Sequence, residues 1–432
     1  MLVTLFGQNF RSLRDPFELS MVAADLKRKQ DSSRGTIEAP IDGSEKPLKL
    51  LRAAAIFGPN GSGKSTVLLA ARALRWLIRM SSPTGKPGVN IPPYEPFALD
   101  KQTRSAPVTL GCRVVFGRSL LTYEISFVAQ AIEHELLTRH DGAGETVLID
   151  RRVANVSGQL VENSQVNKLY VTQMQPHVAV LSKLAQHGPA EGDEAARPYE
   201  QALLNAIDYE DFSDACFQRV GFPAHERFAD ESTYQNWIMA RLMKKADVGI
   251  GSVRVERKDV EFPKPLLDLA AKLGTPKLPE KQVVVSFVHA GTERQALDFS
   301  EESAGTKKLF NIAHRWHAMA HEHMCLFADE LTASLHPVLL RALIESVNDA
   351  APRVRSQLIF ATHDTGLLEG HDGNAAALRR DQFYFTEKDA DGASSLYPLS
   401  EFKDSARPVH NARKRYLSGL YGAVPLVEKF SL

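Results

Sequence analysis

The chain has 432 residues, enough for a sizeable core in two or three structural units. Its 52 acidic and 52 basic side chains give a formal net charge of zero, so no global electrostatic pull draws it toward nucleic acid or an anionic membrane. Cys112, Cys216 and Cys325 stand apart without a C-x-x-C pair, which argues against a disulfide framework and fits a reducing cytosol.

The first residues, MLVTLFGQNFRSLRD, meet charge too early for a signal peptide. No apolar run approaches the ~18 residues of a membrane span, so a soluble cytoplasmic protein without membrane contact is expected. Residues 1–57 read as strand-rich, ending in the apolar run LLRAAAIF. Then comes GPNGSGKST: Gly58, Pro59, Asn60, Gly61, Ser62, Gly63, Lys64, Ser65 and Thr66. The run VLLAARALRWLI follows at helical spacing, so the glycine loop sits between a strand and a helix. In that context its backbone N–H groups turn inward around an anion, and the helix N-terminus adds positive potential. Lys64 is placed for the β- and γ-phosphates and the Ser65 hydroxyl for Mg²⁺. The expected ligand is a nucleoside triphosphate with magnesium.

A Pro/Gly-rich connector, MSSPTGKPGVNIPPYEP, leads to further strands at VTLGCRVVFG, LLTYEISFVAQ, HELLTR and ETVLIDRR, with hairpin breaks at GRS and DGAG. From about 171 the spacing turns helical in VAVLSKLAQ, YEQALLNAI and YQNWIMARLMKKA. VVVSFVHA returns to strand. These shifts divide the chain into an N-terminal lobe with the phosphate loop at 1–165, an α-helical insertion at 166–255 and a C-terminal lobe at 256–432. The fold class is α/β.

The C-terminal lobe carries three further motifs. In FSEESAGTKKLF, Ser303 and Gly305 open a helix with small residues at its N-terminus, fit either for a second anion site or for a simple cap by Ser303. MCLFADE is an apolar strand ending in Asp329, placed to hold Mg²⁺, and Glu330, placed to polarise an attacking water. LIFATHD is another apolar strand, closing on His363, which is suited to hydrogen-bond a γ-phosphate.

The order of phosphate loop, signature helix, acidic pair and histidine loop resembles that of ABC-type ATPases. NFRSL at 9–13, ESAGT in place of LSGGQ, and ASLHP at 333–337 resemble their SMC-like and OLD-like branch. LMKKADVGIGSVRVE, RDQFYFTEKD and RKRYLSGLYGAVP look similar to bacterial AbiL/RloA-type ATP-binding proteins of phage-defence operons. The resemblance implies an ABC-type P-loop head that binds and hydrolyses ATP. It implies that two copies close face to face around two ATP molecules, with Ser303 and Gly305 of one copy capping the γ-phosphate held by the other. Ser334 to Pro337 would line that interface, Asp329 and Glu330 would serve metal and water, and His363 would be the switch histidine. The output would go to a separately encoded effector, a Toprim- or RloB-like nuclease in anti-phage defence. The alternative is a stand-alone DNA-repair ATPase, which the neutral charge disfavours. His336 stands where transporter subunits carry an aspartate, and only Gln102 and Gln130 offer themselves for a glutamine loop. Arg11 is a candidate nucleotide contact.

Other features read as structural. His314, His317 and His321 share a helical face, but nothing beside them completes a metal set. Glu387, Asp389 and Asp391 in EKDADG sit in one stretch between FYF and LYPL, which reads as a hairpin turn rather than the split acids of a nuclease. The basic clusters at 27–29, 244–245, 307–308 and 413–415 lack aromatic interleaving and read as solvated faces.

Overall fold

The computed structural model describes the chain except residues 25–33, 190, 193–194, 214–237, 239–241, 247–248, 260–280, 290–295, 334, 370–375, 403–411 and 426–432. Cys216, the basic cluster at 27–29, Ser334 and much of YQNWIMARLMKKA therefore lie outside the described residues. By their internal packing the rest divides into two units. The first comprises Met1–Asp211, Glu322–Thr332 and Leu340–Leu432, and the second Phe212–His321 and Ala333–Leu339.

The first unit begins with β1 (Leu2–Gln8), β2 (Phe17–Ser20), β3 (Thr36–Ala39), β4 (Leu48–Leu51) and β5 (Ala53–Phe57), then α1 (Lys64–Thr84). β6 (Val108–Phe116), β7 (Ser119–Phe127), β8 (Ile132–Asp141), β9 (Gly144–Arg152) and β10 (Asn155–Ser157) follow. With β1 and β2 these five make an antiparallel sheet in the order β10-β9-β8-β7-β6-β1-β2. Its hairpins turn at the breaks expected at GRS and DGAG. In β7, buried and partly exposed residues alternate, the mark of a strand with one face on a core.

Short helices α2 (Gln159–Glu162), α3 (Gln165–Thr172), α4 (Val180–His187) and α5 (Arg197–Ala206) come next, and then β11 (Asp208–Asp211). The helical reading from 171 holds for α4 and α5, but the segment also contains a strand that sequence reading does not place. β11 pairs in parallel with a strand of the central sheet, so these helices lie in the unit that carries the phosphate loop.

In the second unit, β12 (Ile250–Asp259), β13 (Lys281–His289) and β14 (Ala296–Asp298) form a small antiparallel sheet ahead of α6 (Ala304–His321). Phe287, Phe299 and Phe310 pack edge to face or tilted, with centroids 5.4–6.1 Å apart, and fix the start of α6 against this sheet.

The chain returns to the first unit through β15 (Cys325–Asp329), α7 (Pro337–Asn348), β16 (Gln357–Ala361), β17 (Phe383–Lys388), β18 (Ser394–Pro398) and α8 (Ala412–Leu417). α7 begins in the second unit and ends in the first. The central sheet runs β11-β15-β16-β5-β17-β18, parallel except for the final hairpin. Every residue of β5 and β16 is buried, as a parallel sheet covered on both faces requires. α1 lies over this sheet with Val67, Leu68, Ala71, Leu74 and Ile78 in a core shared with Tyr123 of β7 and Leu181 of α4.

Two buried polar groups join the layers. The Gln357 side chain accepts from Leu2 N (2.7 Å) and donates to the carbonyls of Leu2 and Leu51 (both 3.0 Å), tying β1 to the central sheet. The Glu135 carboxylate, on β8, accepts from Val180 N (2.6 Å), Leu181 N (3.0 Å) and the Tyr123 hydroxyl (3.0 Å). It thereby caps α4, whose own N-cap residue, Ala179, offers no side-chain acceptor.

Candidate nucleotide-binding and hydrolysis site

The loop from Gly58 to Gly63 connects the end of β5 to the first turn of α1. Gly58 is packed so closely that a Cβ there would lie 2.5 Å from the carbonyl and hydroxyl oxygens of Thr386. Gly63, with φ +107°, is the N-cap residue of α1, and a Cβ on it would meet the Ser394 hydroxyl at 2.5 Å. Only glycine satisfies both the backbone and the space at these two positions. Lys64 folds back into the loop, its Nζ donating to the carbonyls of Gly58 (2.9 Å) and Pro59 (2.8 Å). Burial lowers its pKa to about 8, against the opposing pull of Asp329 and Glu330.

The acidic pair meets the loop directly. Ser65 Oγ donates to Asp329 Oδ1 at 3.2 Å, and the backbone N–H of Glu330 donates to the same oxygen at 3.1 Å. Burial raises the Asp329 pKa, partly offset by these two bonds. Glu330 is an exposed carboxylate with φ +54°, a left-handed conformation that a non-glycine residue adopts at a cost and that recurs at functional sites.

The strand order explains the third component. β16 lies between β15, which delivers Asp329, and β5, which delivers the loop. The chain leaving β16 therefore carries His363 between them. Its pKa is lowered by burial and by the Lys64 charge, with Glu330 acting in the opposite sense. The ring is accordingly neutral near pH 7.

Hydroxyl groups that sequence reading passed over brace the loop from outside. Ser12, in NFRSL, lies 3.2 Å from Thr66 Oγ1, and its carbonyl accepts from Ser394 N at 2.6 Å. Thr386 lies 2.6 Å from Ser62 Oγ. Thr386 lies in RDQFYFTEKD, but no sequence signal marks it, or Ser394, as a contact of the loop. EKDADG forms the β17–β18 turn, with Arg14 paired to Asp389 (3.3 Å) and Asp391 (3.2 Å). Arg11 is paired with Glu95 at 3.1 Å.

β11, the strand absent from the sequence reading, brings Asp211 opposite Asp329 in register. Their like charges interact, which further raises the Asp329 pKa. Gln102 and Gln130 lie on other segments, in the turn after Asp100 and in the β7–β8 connection.

Ser303 and Gly305 belong to the second unit. The Ser303 hydroxyl accepts from Thr306 N at 3.1 Å and caps α6, while Gly305 is the second residue of that helix. Beside them Glu302 meets His289 at 2.6 Å. His336 Nδ1 accepts from Val338 N at 3.3 Å, ahead of α7. On α6 the His317 and His321 rings lie 4.4 Å apart.

The Ser65 hydroxyl and the Asp329 carboxylate are hard oxygen donors already within reach of each other, which fits Mg²⁺. That ion takes one or two protein oxygens and completes its shell with water and phosphate. No helix among the described residues is long and apolar enough to cross a membrane.

The fold is mixed α/β: a largely parallel sheet carries the phosphate loop and the acidic pair, with an antiparallel sheet in the same unit. Residues 191–369 match a protein-family model described as "AAA domain, putative AbiEii toxin, Type IV TA system". The chain is similar to the SMC head domain from Thermotoga maritima at 13% identity and TM-score 0.38, covering 92% of this chain and 98% of that one. It is also similar to an Smc head domain with an extended coiled coil bound to the C-terminal domain of ScpA, derived from Pyrococcus furiosus. There the identity is 13% and the TM-score 0.39, over 93% and 97% of the two chains. No curated protein matches the chain.

Proposed function

We propose that the protein binds and hydrolyses ATP, and that ATP gates its assembly into a dimer that controls a separate effector. The observation that carries the first part is the Ser65–Asp329 contact at 3.2 Å, which joins the phosphate loop and the acidic pair into one site. Gly58 to Thr66 wrap the phosphates, and Lys64 exchanges its two carbonyl partners for β- and γ-phosphate oxygens. Ser65 and Asp329 hold Mg²⁺, which when bound neutralises charge developing on the phosphates. Glu330 orients a water for attack on the γ-phosphorus and takes its proton, while the bond to the β-phosphate oxygen breaks. The neutral His363 ring donates a hydrogen bond toward the γ-phosphate. The products are ADP and phosphate.

The position of Ser303 and Gly305 at the start of a helix supports a dimer, in which they would meet the γ-phosphate held by a second copy. ATP then favours the closed pair and hydrolysis releases it. The effector is read as a Toprim- or RloB-like nuclease acting in anti-phage defence. The toxin–antitoxin description of the matching family and the resemblance to AbiL/RloA-type proteins support this reading.

The test is ATP turnover measured together with light-scattering mass, for the wild type and Glu330→Gln. The reading expects the variant to bind ATP, to lose turnover and to hold the doubled mass. A wild type that neither hydrolyses ATP nor changes mass with it overturns the switch. Co-purification of the trapped variant with the product of a neighbouring gene tests the effector.

A further inference from the structure

We propose that Thr386 is a positioning residue for the phosphate loop, setting its shape before nucleotide arrives. This rests on the ATP-binding reading above and adds a residue outside the phosphate loop, the signature helix, the acidic pair and the histidine loop. β17 runs parallel to β5 with Tyr384 opposite Ile56 and Phe385 opposite Phe57. The next residue on each strand is Thr386 and Gly58, so the threonine stands where β5 gives way to the loop. Thr386 is fully buried. Its Oγ1 lies 2.6 Å from Ser62 Oγ and 3.3 Å from the Phe57 carbonyl oxygen.

One hydroxyl has one proton. Phe57 O can only accept, so Thr386 donates to it and accepts from Ser62. The threonine thus pins the last carbonyl of β5 and the side chain at the far end of the loop, two groups that together fix the Gly58–Ser62 turn. The absence of a side chain at Gly58 is what lets Thr386 approach this closely. A loop held in its binding shape spends less of the phosphate interaction on ordering itself. Thr386 touches no reacting atom in this scheme.

The experiment compares Thr386→Val, which keeps the shape and deletes the hydroxyl, with Thr386→Ser, which keeps the hydroxyl. Hydrogen exchange of the apo protein reads the amides of residues 58–65, and a fluorescent ATP analogue and steady-state turnover read function. In Thr386→Val the loop amides should exchange faster while amides of β5 and α1 do not. ATP binding should weaken about tenfold, the order expected for losing one buried hydrogen bond and stranding its partner. KM should rise with kcat nearly unchanged, because binding and not chemistry is affected. Thr386→Ser should restore all three. Unchanged loop exchange in Thr386→Val overturns the proposal. Exchange that rises equally across β5 and α1 also overturns it, since that marks a general packing role. If Thr386→Val does not fold, Ser62→Ala removes the same bond from the loop side and must give the same local acceleration. A wild type that binds no ATP sinks the functional reading, and the exchange data still decide the role of Thr386.

Discussion

Ser65 and Asp329 are 264 positions apart in the chain and 3.2 Å apart in the fold. One opens a helix and the other closes a strand, and the hydroxyl of the first already donates to the carboxylate of the second. Two consequences follow for magnesium. Ser65→Ala should weaken binding of Mg²⁺–ATP by about tenfold or more, since a charge-assisted contact and a metal ligand are lost together. Binding of ATP measured in excess chelator should change little. Titrating Mg²⁺ against a fixed ATP analogue separates the two, and equal losses with and without the metal would contradict the assignment.

The pH dependence of binding comes from Lys64. In the free protein its pKa is lowered to about 8 by burial. Phosphates bind the protonated form, so affinity should be flat below that value and fall as pH rises through it, approaching about tenfold per pH unit. Calorimetry in buffers of different ionisation enthalpy should show a proton taken up with ATP near pH 8. For stability the sign is opposite. The unfolded chain holds this proton more tightly, so the apo fold should gain stability as pH rises from about 8 toward the ordinary lysine value of 10.5.

His363 titrates on the acid side. Its folded pKa is held below 6.5 by burial and by Lys64, so the fold favours the neutral ring. As pH falls below 6.5 the unfolded chain takes up this proton first, and the contribution of the site to stability declines. His363→Ala should remove that portion of the acid-side slope in denaturant titrations. It should lower kcat by about tenfold to a hundredfold with a smaller effect on ATP affinity, as loss of one transition-state donor does.

Glu135 is a stability residue far from the chemistry. Its carboxylate holds two amides at the start of α4 and one tyrosine hydroxyl, all buried. Glu135→Ala should cost about 3 kcal/mol in denaturant unfolding, because three buried donors lose their acceptor. Glu135→Gln should cost less, since one oxygen remains. Burial also raises the Glu135 pKa above its ordinary 4.5. The folded state therefore binds this proton more tightly, and its share of stability should fall as pH rises through 4.5 toward the raised value, then level off.

The site was legible where backbone requirements and chemistry leave few alternatives. A glycine loop between an apolar strand and a helix, or AD-E at the end of CLFADE, admits few other readings, and the structure brings these residues and His363 together. DYED of β11 was not legible: a short strand with three acids carries no β-branched signal, and only the neighbouring β15 makes it a strand. Thr386 and Ser394 were equally silent, because a buried hydroxyl on a strand looks in sequence like a solvated one. The EKDADG turn was legible from its composition, but its clamp by Arg14 depends on a partner that sequence spacing does not reveal.

The strand order has a consequence for the life of the chain. β5, which presents the phosphate loop, is bonded on one side by β16 and on the other by β17, and the Gln357 side chain of β16 ties Leu2 of β1 to Leu51 just ahead of β5. A ribosome translates GPNGSGKST early, but the emerging segment has no strand to lie against until some three hundred further residues are made. A chain cut short before residue 383 carries the motif but lacks the strand that borders β5 on one side.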